Sequence, residues 1–455
     1  MLSGSYYTVV VDCGSTGTRV NVYQWKKYVE SENFPILMHS YPDNSTEGSL
    51  RRSSCQYHCL QTEPGLDKFV GNASGVRASL EPLILWAERL VLDDVEAVVK
   101  EHSFLYKKSW IRVLSGKEEA YYGWVALNYK MGSLTNSSRT STLGLLDLGG
   151  SSLQVVMEDD AIGDDKHLIR SEIGLIEHRI LAFSLPAFGL NEAFDRTVAI
   201  LNSLKPPREG TRDRIEIRHP CLRSDFVQNY TCYGCVQQNI TNKKNSSSQM
   251  QRTNSASVYL VGDPNWEQCR GLARAVAINS SNLDWSHPTV GTNCKAGLSS
   301  SSSFPIFLYE GKPAAHSAYH VGINILNLTA ITHPTGHFHA LSGFFVVYNK
   351  LNLSSRANLT KVWEKGEQLC PRSWADLSYN AGNQNHAVQH CFQVPYMASL
   401  IEEALCLGEA EIIFGPGDLS WTLVKSSSLC QARKVPKLGY LCHHIFIQNT
   451  GLTRI

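Results

Sequence analysis

The sequence has no apolar run approaching the ~18 residues a membrane-crossing helix needs, so no span is visible along its 455 residues. It has no GxxxxGK(S/T), so a P-loop is not available as a phosphate site. It has no surplus of charge: 42 Lys and Arg against 41 Asp and Glu leave +1. That balance removes the electrostatic case for nucleic acid or for an anionic membrane surface. No paired CxxC array supports a zinc site. No apolar leader precedes the first strand, which begins within a few residues of Met1, so no signal peptide is visible.

Cysteine is not scarce: there are 13, many for a reducing compartment. The pairs Cys55/Cys59 and Cys232/Cys235 read as loop disulfides, and the odd total fits either a partial or altered chain or a free thiol. Ten N-x-S/T sequons occur, at Asn44, Asn72, Asn136, Asn229, Asn239, Asn245, Asn279, Asn327, Asn352 and Asn358. Together they favour a secretory-pathway protein. A glycoprotein without an entry signal is a contradiction. Its simplest resolution is that the full product carries an anchor or signal that this chain lacks.

Residues 7–23, YTVVVDCGSTGTRVNVY, carry the first chemical signal. A β-branched run ends in Asp12, a turn of small residues follows, and an alternating stretch leaves it, which reads as a hairpin. A tight glycine turn aims backbone N–H groups at one point and so suits an anion. Residues 143–157, LGLLDLGGSSLQVVM, repeat the pattern with Asp147 in place of Asp12. Two such units predict two related half-domains facing a cleft, the layout of the actin–Hsp70–hexokinase, ribonuclease H-like α/β fold.

Along the rest of the chain, residues 7–12, 18–26 and 35–41 read as strands and 43–78 as a polar loop. Helices are expected at 80–92 and 93–103, a strand at 110–114, and a helix at 117–128 opened by Glu118 and Glu119. A strand at 167–173 precedes helices at 174–185 and 189–204, with Asn191 as a cap. Residues 205–256 read as loop, 259–261 as strand and 266–277 as helix, with 278–335 unpatterned. Helical stretches are expected at 338–351, 359–368 and 395–407, and a strand at 411–414; 425–455 shows no period. His316, His320, His333, His337 and His339 lack helical spacing and carboxylate company, so they read as loop residues.

Four ordered motifs resemble the apyrase, or ectonucleoside triphosphate diphosphohydrolase, family. DCGSTGTR (12–19) is similar to its first signature, SGKEEAYYGWVALNY (115–129) to its third, LLDLGGSSLQ (145–154) to its fourth, and DLSWTL (418–423) to the start of its fifth. HPCL (219–222) and LVGDPNWEQC (260–269) look closest to the plant branch.

The resemblance implies hydrolysis of nucleoside di- and triphosphates with Ca²⁺ or Mg²⁺. Asp12 and Asp147 would hold the metal through its waters. Gly14, Ser15, Thr16 and Gly17, with Gly149, Gly150, Ser151 and Ser152, would contact phosphate. Glu119 matches the general base, and Ser152 and Gln154 match side chains that orient the attacking water. Phe345 sits near where the family stacks an aromatic on the base; a core role is the competing reading. Arg19 reads as a structural partner. The implied lobes are 1–115, completed by 415–424, and 116–414, with 425–455 an atypical tail. The family also implies a membrane anchor, and a single-pass protein of the Golgi, plasma membrane or cell exterior.

One signature is missing. A strand ending in a TAGxR-like turn should separate the helices at 80–92 and 93–103, but these abut. Its absence would leave the 7–12 strand without one neighbour and its edge N–H and C=O groups without partners. The competing functions are therefore a non-hydrolysing or nucleotide-binding relic and, on fold analogy alone, a kinase or exopolyphosphatase.

Overall fold

The computed structural model describes residues 5–27, 36–40, 60–69, 71–95, 112–134, 141–159, 167–173, 176–204, 215–232, 256–278, 337–356, 358–376, 389–423 and 441–448. Among the described residues the strands form three sheets. The first begins with β1 (Ser5–Cys13), β2 (Thr18–Lys27), β3 (Ile36–Ser40) and β4 (Leu60–Thr62). β1 and β2 are the expected hairpin, antiparallel and in register from Ser5↔Lys26 to Cys13↔Thr18. Val9, Val11 and Cys13 point to one face of this sheet and pack with Val20, Val22 and Leu83. Leu83 belongs to α1 (Ala73–Val95), whose first turn is capped by Asn72: its Oδ1 accepts from the Gly75 amide at 3.0 Å. The two helices expected at 80–92 and 93–103 are thus one helix as far as Val95. It begins inside the supposed loop, because capping chemistry at Asn72 starts it there.

The far side of β1 is not an open edge. β15 (Leu441–Gln448) lies along it, parallel, from Tyr7↔Leu441 to Cys13↔Ile447. On its other side β15 pairs in parallel with β5 (Arg112–Leu114). The sheet order is β3-β2-β1-β15-β5, with β4 on β2. The expectation of an unpartnered β1 is therefore corrected. The stretch without a legible period supplies a central strand; LCHHIFIQ follows neither a period-2 nor a period-3.6 pattern that sequence alone could rank.

The second sheet is built on the second hairpin, β6 (Gly144–Leu148) and β7 (Ser152–Glu158). β8 (Leu168–Ile173) and β9 (Ile176–Pro186) extend it on one side, and β13 (Phe338–Ser342) and β14 (Ile412–Phe414) on the other. Residues 174–185, expected to be helical, are mostly β9. This strand lies between β7 and β8 and is buried on both faces along Leu181–Phe183, and a doubly buried strand has the same continuous apolar run as a buried helix. Alternate residues of β6 and β7 feed two cores. Leu146, Leu148, Leu153 and Val155 face a large core, while Leu145 and Val156 face the helix α2 (Gly116–Lys130).

The large core is filled from the other side by α3 (Leu190–Ser203), α4 (Trp266–Ala277), α5 (Gly343–Asn349), α6 (Leu359–Asp376) and α7 (His390–Ser399), the last running into a π-helical turn at Leu400–Ala404. The stretch at 338–351 divides into β13 and α5 instead of one helix, since Phe338 and Ala340 are claimed by the β6 and β14 ladders. His339 accordingly sits buried on a strand, its Nδ1 2.6 Å from the Gly415 carbonyl, and is not a loop residue. His316, His320 and His333 lie outside the described residues. The 205–256 region, read as loop, contributes β10 (Ile215–His219) and β11 (Val227–Cys232), which flank β12 (Ala256–Gly262) in a third sheet. Disulfides Cys221–Cys269 and Cys370–Cys391 staple this lobe. Cys55, Cys59 and Cys235 lie outside the described residues, while Cys13 is a buried free thiol.

Candidate active site

The two hairpins are equivalents, residue for residue. In the first, the Gly14 amide donates to Gly17 O at 3.0 Å; in the second, the Gly149 amide donates to Ser152 O at 2.9 Å. Asp12 is paired across the hairpin with Arg19, and Asp147 with Gln154. The turn-closing bonds use the amides of Gly14 and Gly149 and not those of Ser15, Thr16, Gly150 or Ser151.

The turns touch each other. A Cβ on Gly150 would lie 2.4 Å from Thr16 Oγ1 and 2.6 Å from Ser15 Oγ, so a larger residue there would force these hydroxyls or the turns to move. Behind the second turn, the amides of Leu190 and Asn191 donate to the Gly149 and Gly150 carbonyls at 3.0 and 2.8 Å. The start of α3 thereby fixes the turn. Asn191, expected as its cap, is inside the helix; the cap position is Gly189, where a Cβ would stand 2.3 Å from Gly150 C. The Asn191 side chain instead donates from Nδ2 to Thr16 Oγ1 at 3.3 Å, tying one turn to the other.

Strand alternation sends Ser152, Gln154 and Val156 toward α2. There the helix opens on a capping box: Glu118 N donates to Ser115 Oγ at 3.2 Å, and Ser115 N donates to Glu118 Oε2 at 2.9 Å. The Glu118 carboxylate is thus occupied by its own helix end. Glu119, one residue on, is 5% exposed and accepts from Gln154 Nε2 at 3.1 Å. The same Nε2 is 2.8 Å from Ser152 Oγ, and Gln154 Oε1 is buried without a hydrogen-bond partner. Close seating of α2 depends on Gly116, whose Cβ would fall 2.1 Å from Ser184 Oγ, and on Gly123 against Leu145. A buried Asn128 anchors the far end, donating to Leu143 O and accepting from Leu143 N.

Asp12 is 5% exposed, and its Oδ1 is buried with no partner. Burial pushes its carboxyl up to about 6; Arg19, 3.8 Å away, pulls it down, and Asp147 pushes it further up. Asp147 is raised too, again chiefly by burial, while a Ser342 hydroxyl and Arg19 lower it. Ser342 has φ 52°, a backbone region that L-residues rarely adopt, and such strain collects at functional sites. An orphaned carboxylate oxygen on buried Asp12 and a second carboxyl, on half-buried Asp147, that repels it could hold a hard divalent cation. Among the described residues no cluster of three or more His, Cys, Asp and Glu exists, so water would complete any such shell. Arg19 is held from outside, its Nε donating to Gln61 Oε1 at 3.0 Å. Phe345 is half-buried on α5 and lies against Gly417, where a Cβ would meet its ring at 2.3 Å; the adjoining Phe344 takes the core position.

Structure therefore brings together Asp12, Asp147, Glu119, Ser152, Gln154 and both turns. Sequence reasoning missed Ser342 and Ser184, which carry no local signal, and the linking role of Asn191.

"Probable apyrase 7" of Arabidopsis thaliana is 36% identical over 454 residues, covering 92% of this chain and 56% of the relative. "Guanosine-diphosphatase" of Schizosaccharomyces pombe is 26% identical over 261 residues, 48% of this chain and 42% of the relative. The chain thus spans little more than half the length of the first of these relatives. A crystal structure of a nucleoside triphosphate hydrolase from Neospora caninum superposes with a TM-score of 0.53 at 13% identity, over 94% of this chain and 92% of that one, and shares the fold. The profile of the GDA1/CD39 (nucleoside phosphatase) family matches residues 3–95 and 87–286, and the chain belongs to that family.

Proposed function

We propose that this chain hydrolyses nucleoside tri- and diphosphates at the terminal anhydride, releasing inorganic phosphate. The observation that carries the reading is the line Glu119–Gln154–Ser152, ending where two glycine turns abut. Glu119 takes a proton from the attacking water, and Gln154 and Ser152 orient that water. The unpartnered Gln154 Oε1 accepts its second hydrogen. Oxygen bonds to the terminal phosphorus as the bridging P–O bond breaks, and the shortened nucleotide leaves. Ser15, Thr16 and the amides of both turns hold the phosphates, and Phe345 offers a ring to the base. Asp12 and Asp147 would hold Ca²⁺ or Mg²⁺, which supplies neutralisation of phosphate charge. Similarity to a probable apyrase and to a guanosine-diphosphatase supports the substrate class. The relic reading rested on the missing second signature; of its arguments, the open edge on β1 falls, because β1 is paired on both sides.

Phosphate release by purified chain from ATP, ADP and GDP, with and without chelator, tests the proposal. Release from none of them overturns it. Gly150→Ala is expected to push the turns apart. A shift near 1 Å at a reacting centre costs on the order of 10²-fold in rate, so kcat should fall by about that factor while the melting temperature moves little. Unchanged kcat would show that the contact between the turns does not matter.

The secretory pathway is the compartment we propose. The four sequon asparagines among the described residues, Asn72, Asn229, Asn352 and Asn358, are all exposed. Glycosidase treatment of the native product should lower its mass, and an unchanged mass would count against the assignment. No helix among the described residues is long and apolar enough to cross a membrane; the anchor remains part of this proposal for the full product.

A further inference from the structure

β1, β15 and β5 run in the same direction and end together. Asp12 is level with Phe446, Cys13 with Ile447, and Leu114 with Gln448. β1 ends in Asp12 and the first turn. β5 leads through Ser115 directly into α2 and Glu119. In the sheet β1 and β5 are neighbours of β15 and not of each other. Strands in a sheet lie ~4.8 Å apart, so one intervening strand holds β1 and β5 about 10 Å apart. Removing it leaves two outcomes: the strands close by roughly 5 Å, or the inner ladders of both go unpaired.

We infer that β15, residues 441–448, is the positioning strand of the active site: it takes the central place between β1 and β5, and it sets the spacing between Asp12 and Glu119. The inference deepens the proposed hydrolysis by assigning residues 441–448 to the machinery that positions the two carboxylates. It requires parallel pairing across a long sequence separation, a slow contact to form but one that covers β1 and the facing side of β5.

Hydrogen exchange followed by mass spectrometry reads this without reference to any reaction. In the intact chain the amides of 441–448 should be protected by at least roughly tenfold over an unstructured peptide. If they exchange as fast as that peptide, the inference is overturned, whatever happens to variants. A chain ending at Lys437 should lose protection along β1, and a synthetic peptide of residues 438–455 added in trans should restore it. Ile445→Pro, which cannot complete the ladder, should reproduce the loss in the full chain, while Ile445→Val should not. Undiminished β1 protection in both the shortened chain and Ile445→Pro overturns the inference. Phosphate release, measured beside exchange, should follow β1 protection down and back up. Protection that behaves as expected in a chain that never releases phosphate would leave the strand assignment standing and defeat the hydrolase reading.

Discussion

Glu119→Gln is expected to lower kcat for nucleotide hydrolysis on the order of 10²–10⁴-fold, the range associated with loss of one positioned general base. Substrate affinity should hardly change. The carboxylate touches Gln154, whereas in the proposed mechanism the phosphates would be held by the two turns and not by Glu119. The amide of the variant can still accept from Gln154 Nε2, so packing at this buried point survives. The companion Glu118→Gln separates catalysis from folding. Glu118 closes the capping box with Ser115, and a lost cap is worth ~0.5–2 kcal/mol of stability. Gln preserves most of that bond, so its kcat should stay within a few-fold of wild type. If the two variants exchange behaviour, the base is Glu118. If both retain full kcat, neither carboxylate is the base. Steady-state kinetics with a thermal melt of each variant decides.

What the sequence disclosed and what it hid divide along a physical line. The hairpins were legible because everything that specifies them is local: a β-branched run, an aspartate, small turn residues, and alternation after the turn. Glu118 and Glu119 were legible as a helix start for the same reason, yet which of them faces the site depended on how α2 sits on the sheet. That seat is set by Gly116 against Ser184 and Gly123 against Leu145, contacts across the fold. β9 was misread because burial on both faces erases the period that separates strand from helix. β15 was invisible for a stronger reason: its partners β1 and β5 lie at the opposite end of the chain, and no local pattern encodes a pairing such as Val9↔His443. Ser342, strained and bonded to Asp147, has the sequence context of an ordinary serine. Tertiary contacts, not propensity, place the second half of this site.

Asp12→Asn should abolish cation-dependent stabilisation and, with it, most of the turnover. In the cation-free wild type, burial holds the Asp12 carboxyl at about 6 against an ordinary 3.8. The folded state therefore binds its proton more tightly than the unfolded state does. Stability is highest below about 4, falls as pH rises toward 6, and stays reduced above it, because a buried charge then has to be carried. A shift of about two units corresponds to roughly 3 kcal/mol. A cation reverses this by favouring the charged form, so its affinity should rise about tenfold per pH unit up to roughly 6 and then level off. At a hundredfold excess over Kd such a ligand adds ~2.7 kcal/mol. Asp12→Asn removes the charge and the ligand together. Its cation-free melt should no longer depend on pH between 4 and 6 through this group, and Ca²⁺ or Mg²⁺ should no longer raise it. Asp147→Asn supplies the coupling test: it removes the negative neighbour that pushes Asp12 up, so the remaining Asp12 midpoint should move down from about 6. Melting curves across pH with and without cation measure all of this. An Asp12→Asn protein still stabilised by Ca²⁺ or Mg²⁺ to the wild-type extent would place the cation elsewhere.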